Sequence, residues 1–280
     1  MSQEPYRRLY GEILESNSNV YEQNLLPWLE SFGESERDWL VDLASSAQTP
    51  PWPDASAENL WRLYALSRVN QLLLLAFQRG GFDGEWQGPD VSPAQYLEFF
   101  GRLGLGHTSE SEFHPFFHEI VHVAAAEDLN ERPRLEAVHW PGLMLGNMMF
   151  SRAGCSISAG RAWANKPVAE SSTLYWAFRR KHRKFEDPSH GWGSNSQWRT
   201  SFRRDFRAGD RYFYNVDGEE DLASVTGTDE QGLSPADRLE LLRHRCLVTS
   251  TTPDQGGLWV YDYRFIEEDG VTPQREALPS

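Results

Sequence analysis

A chain of 280 residues can bury a full hydrophobic core as one large domain or two small ones. Its formal net charge of −14 argues against nonspecific nucleic-acid binding and suits a soluble protein or one with a basic partner. Three absences point to the cytosol: no apolar run long enough to span a membrane, no signal-peptide pattern after Met1, and no disulfide framework, with Cys155 and Cys246 the only cysteines.

Leu9, Ile13, Tyr21, Leu25, Leu26, Trp28 and Leu29 recur at helical spacing, and Trp39, Leu40 and Leu43 continue it, so residues 5–45 are expected as helices. Thr49-Pro-Pro-Trp-Pro-Asp54 is a proline-rich turn. Ser56 is placed to cap a helix over about 57–79 through Leu60, Leu63, Leu66, Val69, Leu72 and Leu73, which Gly80-Gly81 stops. Ser92-Pro93 with Gln95 spells a capping box for a helix that ends at Gly101 or Gly104. His114-Pro115 opens another, apolar nearly all round through Phe116, Phe117, Ile120, Val121, Val123 and Leu129, and therefore expected to be buried. Asn130 and Pro133 end it.

After that helix the pattern changes. Met148–Arg152, Cys155–Ser158 and Ala162–Ala164 are short runs separated by Gly and read as strands. Arg211–Asn215 and Leu258–Phe265 are stronger strands, the second alternating Trp259, Tyr261, Tyr263 and Phe265. Between them Ser234-Pro235 opens a helix through Leu239, Leu241 and Leu242, and the last ten residues read as a tail. The expected fold is α+β. A mostly helical part, residues 1–145, precedes a mixed part, residues 146–280, with a small antiparallel sheet, the two packed as one compact unit.

The sharpest motif is His118-Glu119-Ile120-Val121-His122, which spells H-E-x-x-H. On a helix, imidazoles four apart share a face and can grip one tetrahedral zinc, while the Glu between them takes a proton from metal-bound water. The stretch resembles the active-site helix of the zinc metallopeptidases called zincins. The resemblance implies His118 and His122 as ligands and Glu119 as general base. For the third ligand it leaves Asp128, at the last position of the longer metzincin pattern, or Glu136, or His139. Ala125 stands where that longer pattern has Gly. A second metal reading uses Glu119 with His122 and Glu136 with His139 as two E-x-x-H pairs, with Glu98 beside them, the donor set of di-iron carboxylate proteins.

Charge is uneven along the chain. Residues 1–60 hold eleven Asp or Glu against three Arg, residues 171–211 ten Lys or Arg against four acids, and residues 212–280 fourteen acids against five Arg. The basic island runs from Tyr175-Trp176 through Arg179, Arg180, Lys181, Arg183 and Lys184 into the loop His190–Arg199, followed by an expected helix with Arg203, Arg204 and Arg207. Ser194 or Ser196 would cap that helix, and Arg199, Arg203 or Arg204 would hold an anionic substrate group.

Two functions follow as expectations. One is a cytosolic metal-dependent enzyme, a zinc hydrolase or peptidase acting on a small molecule or peptide, with iron as the alternative metal. The other is an acidic, Trp-rich binding protein that neutralises a basic protein partner, as toxin-immunity proteins do. Membrane association is not expected.

Overall fold

The computed structural model describes residues 3–16, 18–80, 86, 88–189, 196–250, 252, 257–258 and 260–268; its N-terminal half is helical and its C-terminal half strand-rich, an α+β fold. Pro5 sits in the first turn of α1 (Glu4–Glu15), where its missing N–H costs nothing, and Tyr6, Leu9, Tyr10 and Ile13 form the buried stripe. A π-helical turn (Tyr21–Leu25) runs straight into α2 (Leu26–Ser46). The Ser56 side chain accepts from the Asn59 N–H and starts α3 (Ala57–Leu73), which tightens into a 3-10 turn over Leu74–Phe77. α4 (Pro93–Arg102) carries the expected capping box of Ser92 and Gln95. α1 packs on α3 and α2 on α4.

The strands follow. β1 (Gly106–His107), β2 (His118–Ala125), β3 (Arg134–Trp140), β4 (Leu143–Leu145), β5 (Met148–Ser151) and β6 (Ala153–Ala159) precede α5 (Lys166–Ser171). β7 (Leu174–Tyr175), β8 (Phe185–Glu186), β9 (Asp205–Ala208), β10 (Arg211–Tyr214) and β11 (Glu220–Asp221) lead to α6 (Pro235–His244), and β12 (Tyr263–Glu268) closes the described chain. The sheet expected to be small has seven strands in the order β1-β4-β5-β9-β10-β12-β11, antiparallel except where β11 meets β12. A second sheet runs β2-β6-β3, with β6 parallel to β2 and antiparallel to β3. β5 and β6 belong to different sheets and are joined by a single residue, Arg152. The main apolar core draws side chains from Tyr6 in α1 to Phe213 in β10.

The largest departure from the sequence reading is the segment after His114. Pro115 does open a turn, closed by the N–H groups of Phe117 and His118 on the His114 carbonyl at 3.1 and 3.0 Å. The turn is not propagated, and residues 118–125 extend as β2 instead of a helix. Its first three residues, His118–Ile120, are buried on both faces, and such a stretch has no period to separate helix from strand. Ile120, Val121 and Val123 are β-branched, and β6 supplies a ladder for them.

Smaller corrections concern local elements. Residues 161–163 are a turn, not a strand, and Arg203–Arg207 enter β9, not a helix. The last strand starts later than expected, at Tyr263; Trp259, the loop His190–Asn195 and the final ten residues lie outside the described residues. Among the described residues no helix is long and apolar enough to cross a membrane.

Candidate functional site

A strand sets the H-E-x-x-H side chains far apart. Four residues of strand cover roughly 13 Å. The register also shifts at Val121: Ile120 pairs with Cys155 and His122 with Ser156, so one residue of β2 is extra. That bulge reverses the alternation and turns His118 and His122 to opposite faces of the sheet. His118 is buried, its Nδ1 3.1 Å from the His114 carbonyl, and burial lowers its pKa. His122 is half exposed, with Nδ1 2.7 Å from Glu170 in α5. Glu119 holds Arg180 through two hydrogen bonds of 2.8 Å, with neither side chain more than 7 % exposed. Burial alone would raise the Glu119 pKa; Arg180, with His182 and Arg183 behind it, pulls it down to about 2. A carboxylate so tied is a structural anion rather than a base poised near neutral pH.

The remaining expected ligands are dispersed. Asp128 lies in an exposed turn and accepts from the Asn130 N–H. Glu136 is exposed on β3 beside Arg134 at 3.6 Å. His139 shares a 2.8 Å hydrogen bond with Ser156. Glu98 is exposed on α4. Among the described residues no three His, Cys, Asp or Glu side chains are grouped to hold a metal ion. The donors therefore fit neither the zinc site nor the di-iron site. Cys155 and Cys246 are buried and unpaired, and burial raises both thiol pKa values.

A different constellation gathers where the two sheets meet. An open cleft lies between α3, the end of β5, the β7–β8 region and the C-terminal end of α6. Arg152, Arg203 and Arg245 line it, and all three lean on one carboxylate. Asp205 is fully buried at the start of β9. It accepts from Arg203 Nε at 2.7 Å, the Asn215 N–H at 2.8 Å, Arg245 Nη2 at 3.0 Å and Arg152 Nη2 at 3.5 Å. Burial would raise the Asp205 pKa, but the three guanidiniums bring it to about 2. Burial and mutual repulsion lower Arg152 to about 9, and burial lowers Arg203 to about 10, so both stay cationic at neutral pH.

One carboxylate cannot satisfy three guanidiniums, which carry five N–H donors each. Arg152 Nε and Nη1, Arg203 Nη1 and Arg245 Nε have no hydrogen-bond partner among the described residues. Buried donors in that state are rare and call for an acceptor. Backbone strain collects at the same place. Arg245, just past α6, and Trp176, whose neighbour Tyr175 donates its N–H to the Arg245 carbonyl, hold φ of 61° and 53°, left-handed values that non-glycine residues rarely adopt. Compared with protein-family models, with curated proteins and with solved structures, the chain matches none.

Of the three arginines expected to hold an anion, the structure brings only Arg203 to this cleft. Arg204 pairs with Asp217 at 2.5 and 2.8 Å and lines a separate, mostly apolar groove beside Pro53. Arg199 is exposed, its guanidinium 5.8 Å from the Trp61 ring centroid. The basic island is only partly a solvated face: Lys184 and Arg199 are exposed, but other cations turn inward. Arg180 is spent on Glu119, and Arg183 is buried against the carbonyls of Ser172 and Ile120. Arg152, Asp205 and Arg245 were missed from sequence. The available signal was an Arg-Arg-Asp run entering an aromatic strand and a lone Arg between two apolar strands, since charges in such places need a buried partner.

Proposed function

We propose that this protein binds a small anionic molecule in the cleft, held by Arg152, Arg203 and Arg245. The observation that carries this reading is the set of unpartnered N–H groups on buried guanidiniums around a single carboxylate. Leaving a buried donor unsatisfied costs about 1–3 kcal/mol, more for a charged one. A carboxylate or phosphate oxygen relieves that cost, and guanidinium forks match both geometries. A zinc hydrolase built on His118 and His122 draws no support from the geometry of β2.

The test is a panel of acetate, citrate, sulfate and phosphate in thermal-shift and calorimetric titrations of the whole chain. A ligand at a hundred times its Kd stabilises by about 2.7 kcal/mol, a shift of several degrees in Tm. Arg245→Gln, at the rim of the cluster, should remove most of that shift. The reading is overturned if no anion in the panel moves the wild-type Tm.

A second reading rests on a separate observation. Glu15, Glu22, Glu30, Glu34, Asp38 and Asp42 are exposed from α1 through α2, opposed there only by Arg7, Arg8 and Arg37. Such a face suits a basic protein partner. A pull-down that recovers one stoichiometric basic protein at low salt and loses it at high salt supports this reading.

A further inference from the structure

We infer that the anion is a dianion, of the phosphate-monoester class, rather than a single carboxylate. The inference rests on the anion-binding reading above and adds the charge of its ligand. Three guanidiniums face one carboxylate, Asp205, so the buried cluster is left two positive charges in excess. The neighbouring charges do not cancel that excess. Glu119 on β2 is taken by Arg180, and Glu267 on β12 is taken by Arg243 on α6 and by the Tyr214 hydroxyl. Asp187, also on the cleft wall, accepts from the Tyr64 hydroxyl and from the Ser189 N–H at 2.7 Å. Among the described residues its hydrogen bonds go to α3 and to its own loop, not to the three arginines.

Burying unbalanced charge is expensive unless it is paired. A monocarboxylate would leave one charge uncompensated, whereas a phosphate monoester above its second pKa closes the balance. The donor geometry agrees. The four unpartnered guanidinium nitrogens come from three side chains on three segments: the link before β6, the approach to β9, and the end of α6. A tetrahedral group with three free oxygens can accept from more of these donors than a planar carboxylate with two. The cleft is also lined by Ser67, Asn70 and Gln71 on α3, so the group that carries the phosphate would lie towards that helix or towards the open mouth.

The experiment is calorimetric titration of the whole chain with acetate, sulfate, inorganic phosphate and glycerol 3-phosphate, at pH 7.5 and 5.5. Sulfate is a dianion at both values, while phosphates lose most of their dianion at the lower one, their second pKa being about 6–7. The inference expects acetate to bind at least tenfold more weakly than sulfate. It expects both phosphates to weaken about tenfold at pH 5.5 relative to sulfate, which serves as the control for the imidazole of His244 on the cleft wall, and the ester to bind no more weakly than inorganic phosphate. In Arg245→Gln, which removes one positive charge, the preference for sulfate over acetate should fall about tenfold. If that variant does not fold, the wild-type comparison of ligands and pH still decides. Acetate as tight as sulfate, phosphate binding that keeps the same ratio to sulfate at both pH values, or rejection of the ester overturns the inference. Binding of no anion at all overturns the parent reading instead.

Discussion

Replacing Arg180 with Met tests the placement of Glu119 directly. The two side chains are 6 % and 7 % exposed and joined by two 2.8 Å hydrogen bonds. Removing one member of such a pair strands the other charge in a poorly solvated place, at a cost of about 3–5 kcal/mol. For a chain of this size each kcal/mol lowers Tm by roughly 2–4 °C. Arg180→Met should therefore lower Tm by on the order of 10 °C, followed by circular dichroism at pH 7. Adding Glu119→Leu should recover most of the loss, because an apolar pair leaves no charge stranded. A single variant within about 1 °C of wild type would refute the buried pair. Elemental analysis of the same preparations bears on β2 itself. Stoichiometric zinc in wild type that is lost in His118→Ala would show that residues 118–122 are not extended.

Acid should act in two stages. Burial lowers the His182 pKa to about 4, so below pH 6.5 the unfolded chain binds a proton that the folded one refuses, and stability falls from pH 6.5 towards 4. Glu119 and Asp205, both held at about 2 against ordinary values of 4.5 and 3.8, add stability that is full above about pH 4.5 and lost as pH falls towards 2. Urea midpoints at pH 7, 5 and 3 should fall at each step, and a level series would refute both assignments. Gly154→Ala places a Cβ inside the indole of Trp140, which is buried and anchored by a 3.1 Å hydrogen bond to the Arg152 carbonyl. It should cost about 1–3 kcal/mol or more in chemical denaturation, and wild-type stability would show that the two strands separate freely. Ser92→Ala should cost about 1 kcal/mol by loss of the α4 capping box, and an unchanged midpoint would mean the cap contributes nothing.

The helical half was legible because its signals are local. Ser56, and Ser92 with Gln95, announce their helices within four residues, and the stripe of Leu9 and Ile13 has one exposed side to contrast with. β2 was not legible, since Ile120 and Val123 face a core on one side while Glu119 is buried on the other, which erases the contrast that periodicity needs. The bulge at Val121 left no mark in composition either. The candidate site was legible only in part. Arg203 stood out in a basic run, but its partner Asp205 and its neighbours Arg152 and Arg245 are brought together by sheet order. The run itself did not distinguish Arg203 from Arg204, which turns to Asp217 on the other side of the strand.

The cluster also has a place in the order of folding. Its side chains come from positions 152, 203, 205 and 245, and α3 adds a wall from position 64 onward. Contacts between such distant positions are rewarded only after the intervening loops have closed. Arg203 is a near neighbour of Asp205 in the chain, but Arg152 and Arg245 are expected to meet it late, after the local helices have formed. An anion that needs all of them has nothing to grip on the way in. It should leave the folding rate almost unchanged and act as a brake on unfolding, lengthening the lifetime of the native chain.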